Sequence, residues 1–214
     1  MRTEEQFFEW YNSEASDQEK VLAEKVMDFG ELFTDMLFRP GTSAYELTKV
    51  SVEDPDGSQR CVGWSLPEEL ESFDYTSYFY KVEELPDCDG YYNHADKVLC
   101  VAPDQLEVDA TILHEMIHLH EGLINDLPMY YHDMMYWALY KDLRGKIPGL
   151  DEIISHHAHI LTGSDLYAAG GLHDILFLLK SFDLDIRQGY PLGTVFGYGK
   201  RNDFEAYSYT HRGA

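Results

Sequence analysis

The run Val108-Asp-Ala-Thr-Ile-Leu-His-Glu-Met-Ile-His-Leu-His-Glu121 decides how this chain is read. It has the length and apolar content of one helix, and it contains His114-Glu115-Met116-Ile117-His118. Four residues along a helix turn about 400°, so His114 and His118 leave one face and can share a metal. Glu115 is turned about 100° from His114, within reach of a water at that metal without being a ligand. Two imidazoles with an adjacent carboxylate base are the signature of a zinc hydrolase, with one zinc ion per chain as the cofactor. His120 points to the other side of the helix and is read as a non-ligand.

Outward from this helix, Gly90-Tyr-Tyr-Asn93 and Lys97-Val-Leu-Cys-Val-Ala102 read as a hairpin running through Pro103 into the metal helix. The helix itself is expected from near Asp104, with recapping at Asp109 and Gly122 as its C-cap. Upstream, Tyr45–Val52 alternates apolar and polar residues. Asp54-Pro-Asp-Gly57 supplies turn chemistry, and Arg60–Trp64 pairs back as a second strand. Asp74–Val82 is a further β-rich run. Residues 3–12 and 16–38 read as helices, the second capped by Ser16 ahead of acidic residues. Val21, Leu22, Val26, Phe29, Leu32, Phe33, Met36 and Leu37 form its core-facing stripe, closed by Arg39-Pro40-Gly41. Beyond the metal helix, Tyr130–Leu143, Leu150–Leu161 and Leu166–Phe182 read as helices, the last with Gly170-Gly171 near its start. The helix from Tyr130 is expected to fold back beside the metal helix, because the link before it is short. Tyr190–Gly199 reads as a strand or an ordered loop. The class expected is α+β: a zincin-like single domain over 1–214, with a small antiparallel sheet against the active-site helix. Its parts are an N-terminal helical segment (1–40), a metallopeptidase-like core (44–145) and a C-terminal helical extension and tail (146–214).

Composition narrows the partners. With 39 acidic against 16 basic residues the net charge is −23, a surface that repels phosphate backbones, so nucleic acid is a poor partner. Three cysteines, Cys61, Cys88 and Cys100, are widely spaced without a C-x-x-C pair, which points to small, buried or half-buried apolar residues rather than a disulfide framework. The chain lacks a signal-peptide pattern at its start and any run of about 20 apolar residues, and reads as cytoplasmic, with no membrane contact and no indication of oligomeric state.

Catalytic zinc takes three protein ligands and keeps one position open. His132, in the first turn of the helix after the link, is the expected third ligand. Glu121, Asp126, Asp133 and Glu152 stand behind it. Glu121 lies a turn beyond His118 and suits a carboxylate supporting a ligand histidine. Ile124 occupies the position where a metzincin has its third histidine.

Gly90-Tyr-Tyr-Asn-His-Ala-Asp-Lys-Val-Leu-Cys-Val-Ala-Pro103, followed by Ala110-Thr-Ile-Leu-His-Glu-Met-Ile-His118, resembles the SprT-like (Spartan-like) metallopeptidase domain. The resemblance covers roughly residues 88–145. It implies zinc on His114, His118 and His132, Glu115 as the base, and a peptide or protein substrate laid as an added strand along Lys97–Ala102. Asp133 stands where the family has glycine, and no cysteine zinc ribbon follows, so crosslink repair on DNA is not implied. ImmA/IrrE-like peptidases, with an acidic third ligand such as Asp126 or Glu152, are the nearest rival. Oxyanion stabilisation falls to Tyr130, Tyr131, or a histidine of the His156, His157 and His159 cluster. The expected function is zinc-dependent peptide-bond hydrolysis. The alternatives are a non-catalytic zinc protein closed by Asp133 or Glu121 as fourth ligand, or a zinc hydrolase of a non-peptide amide.

Overall fold

The computed structural model describes residues 2–38, 50–53, 59–63, 74–124, 129–163, 173–197 and 204. The chain opens with α1 (Glu4–Ser13) and α2 (Asp17–Phe38), each started by a reciprocal cap. Thr3 and Gln6 exchange side-chain-to-backbone bonds at α1, and Ser16 and Glu19 do the same at α2, so the first free N–H groups of both helices are satisfied. The α2 stripe meets the core as its spacing requires: Leu22, Val26, Phe33 and Met36 are fully buried.

β1 (Val50–Glu53) and β2 (Gln59–Gly63) pair antiparallel, as the hairpin reading requires; the turn between them lies outside the described residues. The Asp74–Val82 run splits. Asp74 caps a single 3₁₀ turn, Tyr75–Ser77, by accepting from the Thr76 N–H at 2.9 Å, and only Phe79–Val82 forms a strand, β3. β4 (Gly90–Asn93) and β5 (Val98–Val101) are the expected hairpin.

Among the described residues the main sheet has the order β3-β5-β4, and it is mixed rather than antiparallel, because β3 pairs parallel to β5. Lys97–Ala102 is therefore not an edge. Its strand is hydrogen-bonded on both sides, and the edge strand that packs on the helix bearing His114 and His118 is β4. The cause is long-range: β3 returns to the sheet next to β5, and the hairpin pattern of β4 and β5 carries no information about that second neighbour.

A 3₁₀ turn (Pro103–Gln105) precedes α3 (Asp109–Ile124), so the recapping expected at Asp109 is where the helix begins. Ile112 to His120 are buried without interruption, since β4, β5, α2 and α6 surround α3. Lys25 of α2 ties down its start, with Nζ 2.8 Å from Asp109 and 3.4 Å from Glu107. Gly122 is not the C-cap; the helix runs through it to Ile124. A Cβ there would come within 2.7 Å of His94 Nδ1 and 3.3 Å of Tyr92, so the glycine serves the close passage of the β4–β5 hairpin.

α4 (Met129–Arg144), α5 (Leu150–Gly163) and α6 (Ile175–Gln188) complete the chain. α4 packs chiefly on α6 rather than beside α3. α6 begins later than its periodicity suggested: Asp174 caps it, accepting from the Phe177 N–H at 2.8 Å. Gly170-Gly171 lie outside the described residues. Residues 190–197 form an ordered, turn-rich loop, the second of the two readings offered for this segment. The segment expected as an extension thus supplies core: Phe177, Leu178, Leu179, Phe182, Leu184, Val195 and Phe204 join the same apolar cluster as Phe7 and Leu22. Cys100 is buried, but Cys88 is exposed, contrary to the apolar role expected, because it sits in the acidic turn before β4; both are free thiols. Among the described residues no helix is long and apolar enough to cross a membrane.

Candidate metal centre

α3 presents His114 and His118 on one face, with ring centroids 5.1 Å apart. The third imidazole facing them is His173, the residue just before the α6 cap, 4.9 Å from the His114 ring and 5.0 Å from that of His118. The three offer ring nitrogens that all lie within 4.8 Å of one another, and they are the one such group among the described residues. His114 Nε2 and His173 Nε2 are 3.0 Å apart. Two nitrogens at tetrahedral positions, each about 2.0–2.1 Å from zinc, would be roughly 3.3 Å apart, so the donor set fits with a small adjustment. Phe177, one turn into α6, packs at 4.5 to 4.9 Å against all three rings and walls off that side of the cluster.

Charge and tautomer suit a cation. Burial, then the neighbouring His118, pull the pKa of His114 down to about 4; burial with His114 and His118 pulls His173 to about 3. Both rings are therefore neutral at pH 7 and carry the lone pairs a metal needs. His114 Nδ1 donates to the Val195 carbonyl at 2.9 Å, which leaves Nε2 as the bare nitrogen facing the cluster. His118 Nδ1 lies 3.6 Å from the Glu121 carboxylate, the supporting position expected for that residue. Glu115 is 5% exposed. Burial, reinforced by Asp89, pushes its pKa up to about 8. The three facing imidazoles, beside a buried carboxyl, are a donor set that could hold a metal ion.

On the Glu115 side opens a cavity of about 360 Å³, lined by Asp89 and Gly90, by Gln105 and Thr111, and by Thr194 and Val195 of the last loop. Gly90 brings β4 down onto Glu115. A Cβ there would meet Glu115 Cγ and the Cys100 carbonyl oxygen, each at 3.0 Å. Gly90→Ala is expected to cost about 1–3 kcal/mol in denaturant unfolding. Gly122→Ala, whose Cβ meets the swingable side chain of exposed His94, is expected to cost less, and equal costs would show that β4 is free to retreat.

The loop is held by Asp185, whose carboxylate accepts from Gly193 N–H at 2.7 Å and Val195 N–H at 2.9 Å. Burial pushes the Asp185 pKa up to about 7, against the opposing backbone hydrogen bonds. Its folded value lies above the 3.8 usual for an aspartate, so its stabilisation is full below about pH 3.8 and is lost as pH rises through about 7. Asp185→Asn removes this titration. Urea midpoints across pH 4–8 should then show the wild type losing up to about 4 kcal/mol more than the variant over that interval. Parallel profiles would place the titration elsewhere.

The structure does not bring His132 to the cluster. It lies on α4 with Nε2 3.1 Å from the Ile124 carbonyl oxygen at the end of α3, because α4 leans on α6 instead of folding back along the His114–His118 face. Glu121 faces His118 and Lys180 and is not among the clustered donors, and Glu152 is exposed on α5. Asp126 lies outside the described residues, as do the side chains of Tyr130, Tyr131, Asp133, His157 and His159. His156 is exposed beside Glu152 in a shallow hollow of α5. His120 is fully buried against Phe33, on the side of α3 away from the metal face. His173 went unrecognised because a helix drawn over 166–182 places it mid-helix. The signal for it is Asp174, an N-cap residue directly before the apolar run Ile175–Leu179. No family model matches this sequence, and no curated protein or solved structure is significantly similar to it.

Proposed function

We propose that this chain is a zinc-dependent metallopeptidase whose metal is held by His114, His118 and His173 and whose general base is Glu115. The observation that carries the reading is the closure of the His114–His118 pair by a third imidazole, His173, beside a buried carboxyl that opens on a cavity. Zinc in such a set supplies a Lewis acid for a carbonyl and acidifies water toward a pKa of about 7.

The remaining work belongs to the chain. The Val195 carbonyl fixes the ring orientation of His114 from behind, and the Glu121 carboxylate stands 3.6 Å behind His118. Glu115, ionised when a cation sits beside it, accepts a proton from the attacking water, whose oxygen bonds to the carbonyl carbon, and delivers it to the nitrogen as the C–N bond breaks. The cavity beside Glu115 receives the substrate group flanking that bond, and Phe177 keeps water from the opposite side of the rings. Among the described residues β4 is an edge strand, and running past Glu115 it suits an extended peptide better than the central β5 does.

The test is cleavage of an unfolded protein by chain loaded with one equivalent of zinc. Cleavage should stop on chelation and return with zinc. A protein that binds zinc but cleaves no peptide would move the reading to a non-peptide amide or to a zinc site without catalysis.

A further inference from the structure

Lys180 is an anomaly in this core. Its side chain has no exposure to solvent, and on α6 it stands between Leu179 and Ser181, in a run of buried residues that also includes Phe182 and Asp183. A buried ammonium is costly unless a carboxylate answers it. That partner is Glu121 of α3, whose Oε1 is 3.4 Å from Lys180 Nζ. The other oxygen of the same carboxylate, Oε2, is 3.6 Å from His118 Nδ1. One carboxylate is thus held between a fixed cation and a ligand imidazole. The helix carrying Lys180 also carries Phe177, against the ligand rings, and follows directly on His173.

We infer that Lys180 is a positioning residue for the metal centre, acting through Glu121 on His118. By holding one oxygen of Glu121, Lys180 keeps the other 3.6 Å from His118 Nδ1, an electrostatic contact longer than a hydrogen bond that favours the proton on Nδ1 and leaves Nε2 bare. This sets the tautomer and angle at which Nε2 faces the other two imidazoles. It explains why a lysine stands where leucine or methionine would pack at lower cost, and why α3 and α6, the two helices that supply the ligands, are joined by a buried ion pair. The inference rests on the metal reading above and goes beyond it.

The test measures zinc dissociation constants by competition with a chromophoric chelator, for wild type, Lys180→Met, Glu121→Gln and the double variant. Alongside come visible spectra of the cobalt-loaded proteins and thermal unfolding of each metal-free chain. Lys180→Met and Glu121→Gln are each expected to weaken zinc about 10- to 100-fold and to alter the cobalt spectrum. The double variant should be no weaker than the worse single one, because both act through one contact. Glu121→Gln keeps the side-chain shape, so it decides the matter if Lys180→Met fails to fold. Wild-type binding with zinc affinity unchanged in the folded variants, or with fully additive losses, would overturn the role of Lys180 alone. Absence of zinc binding by the wild type would overturn the metal centre with it.

Discussion

His173→Ala is expected to weaken zinc binding by about 10²- to 10⁴-fold, whereas His132→Ala is expected to leave it within about a factor of two. The magnitude follows from sharing an apparent binding free energy of about 10–16 kcal/mol among three or four ligands, which assigns roughly 3–5 kcal/mol to each. The contrast follows from position. His173 Nε2 lies 3.0 Å from His114 Nε2, while His132 Nε2 lies against the Ile124 carbonyl oxygen. Equilibrium dialysis with metal analysis measures both variants directly. Because the His173 ring is only partly buried and caps no helix, its removal should change thermal stability of the metal-free chain little. Loss of zinc in His132→Ala with retention in His173→Ala would restore the ligand set expected from the resemblance and reject the one proposed from the structure.

Glu115→Gln should lower peptide hydrolysis by about 10²- to 10⁴-fold with zinc retained, the usual worth of a positioned general base. Glutamine keeps the size of a buried side chain, so stability should hold or rise. A neutral amide removes the burial cost that pushes this carboxyl up to about 8 in the metal-free chain. The pairing of unchanged zinc content with lost cleavage separates a base from a ligand. Lost zinc would make Glu115 a ligand, and retained cleavage would pass the base role to another group.

Helix periodicity and capping chemistry made much of the frame legible. Thr3 and Ser16 start their helices by side-chain bonds that a four-residue window contains, and Leu22, Val26 and Phe33 bury the face that their spacing defines. Gly90 to Ala102 could be read as a hairpin because both strands and their turn are adjacent in the chain. Where an element depended on a distant neighbour, the reading failed. β3 joins β5 in parallel, which no local pattern encodes, and Gly122 answers His94 across a contact rather than ending a helix.

The sequence by itself determined the chemistry of α3: two imidazoles on one helical face, with a carboxylate a third of a turn away. Helix geometry fixes those relations within five residues. Only the tertiary structure brings a third imidazole to that face. His173 stands 59 residues from His114, and its arrival depends on α6 packing over α3, driven by Phe177 and the apolar face around it. The same packing carries Lys180 to Glu121 and Asp185 to the loop that holds His114. Burial is a property of the assembled core. The neutral imidazoles and the raised carboxyl of Glu115 therefore exist only once α6 and β4 have closed over the helix.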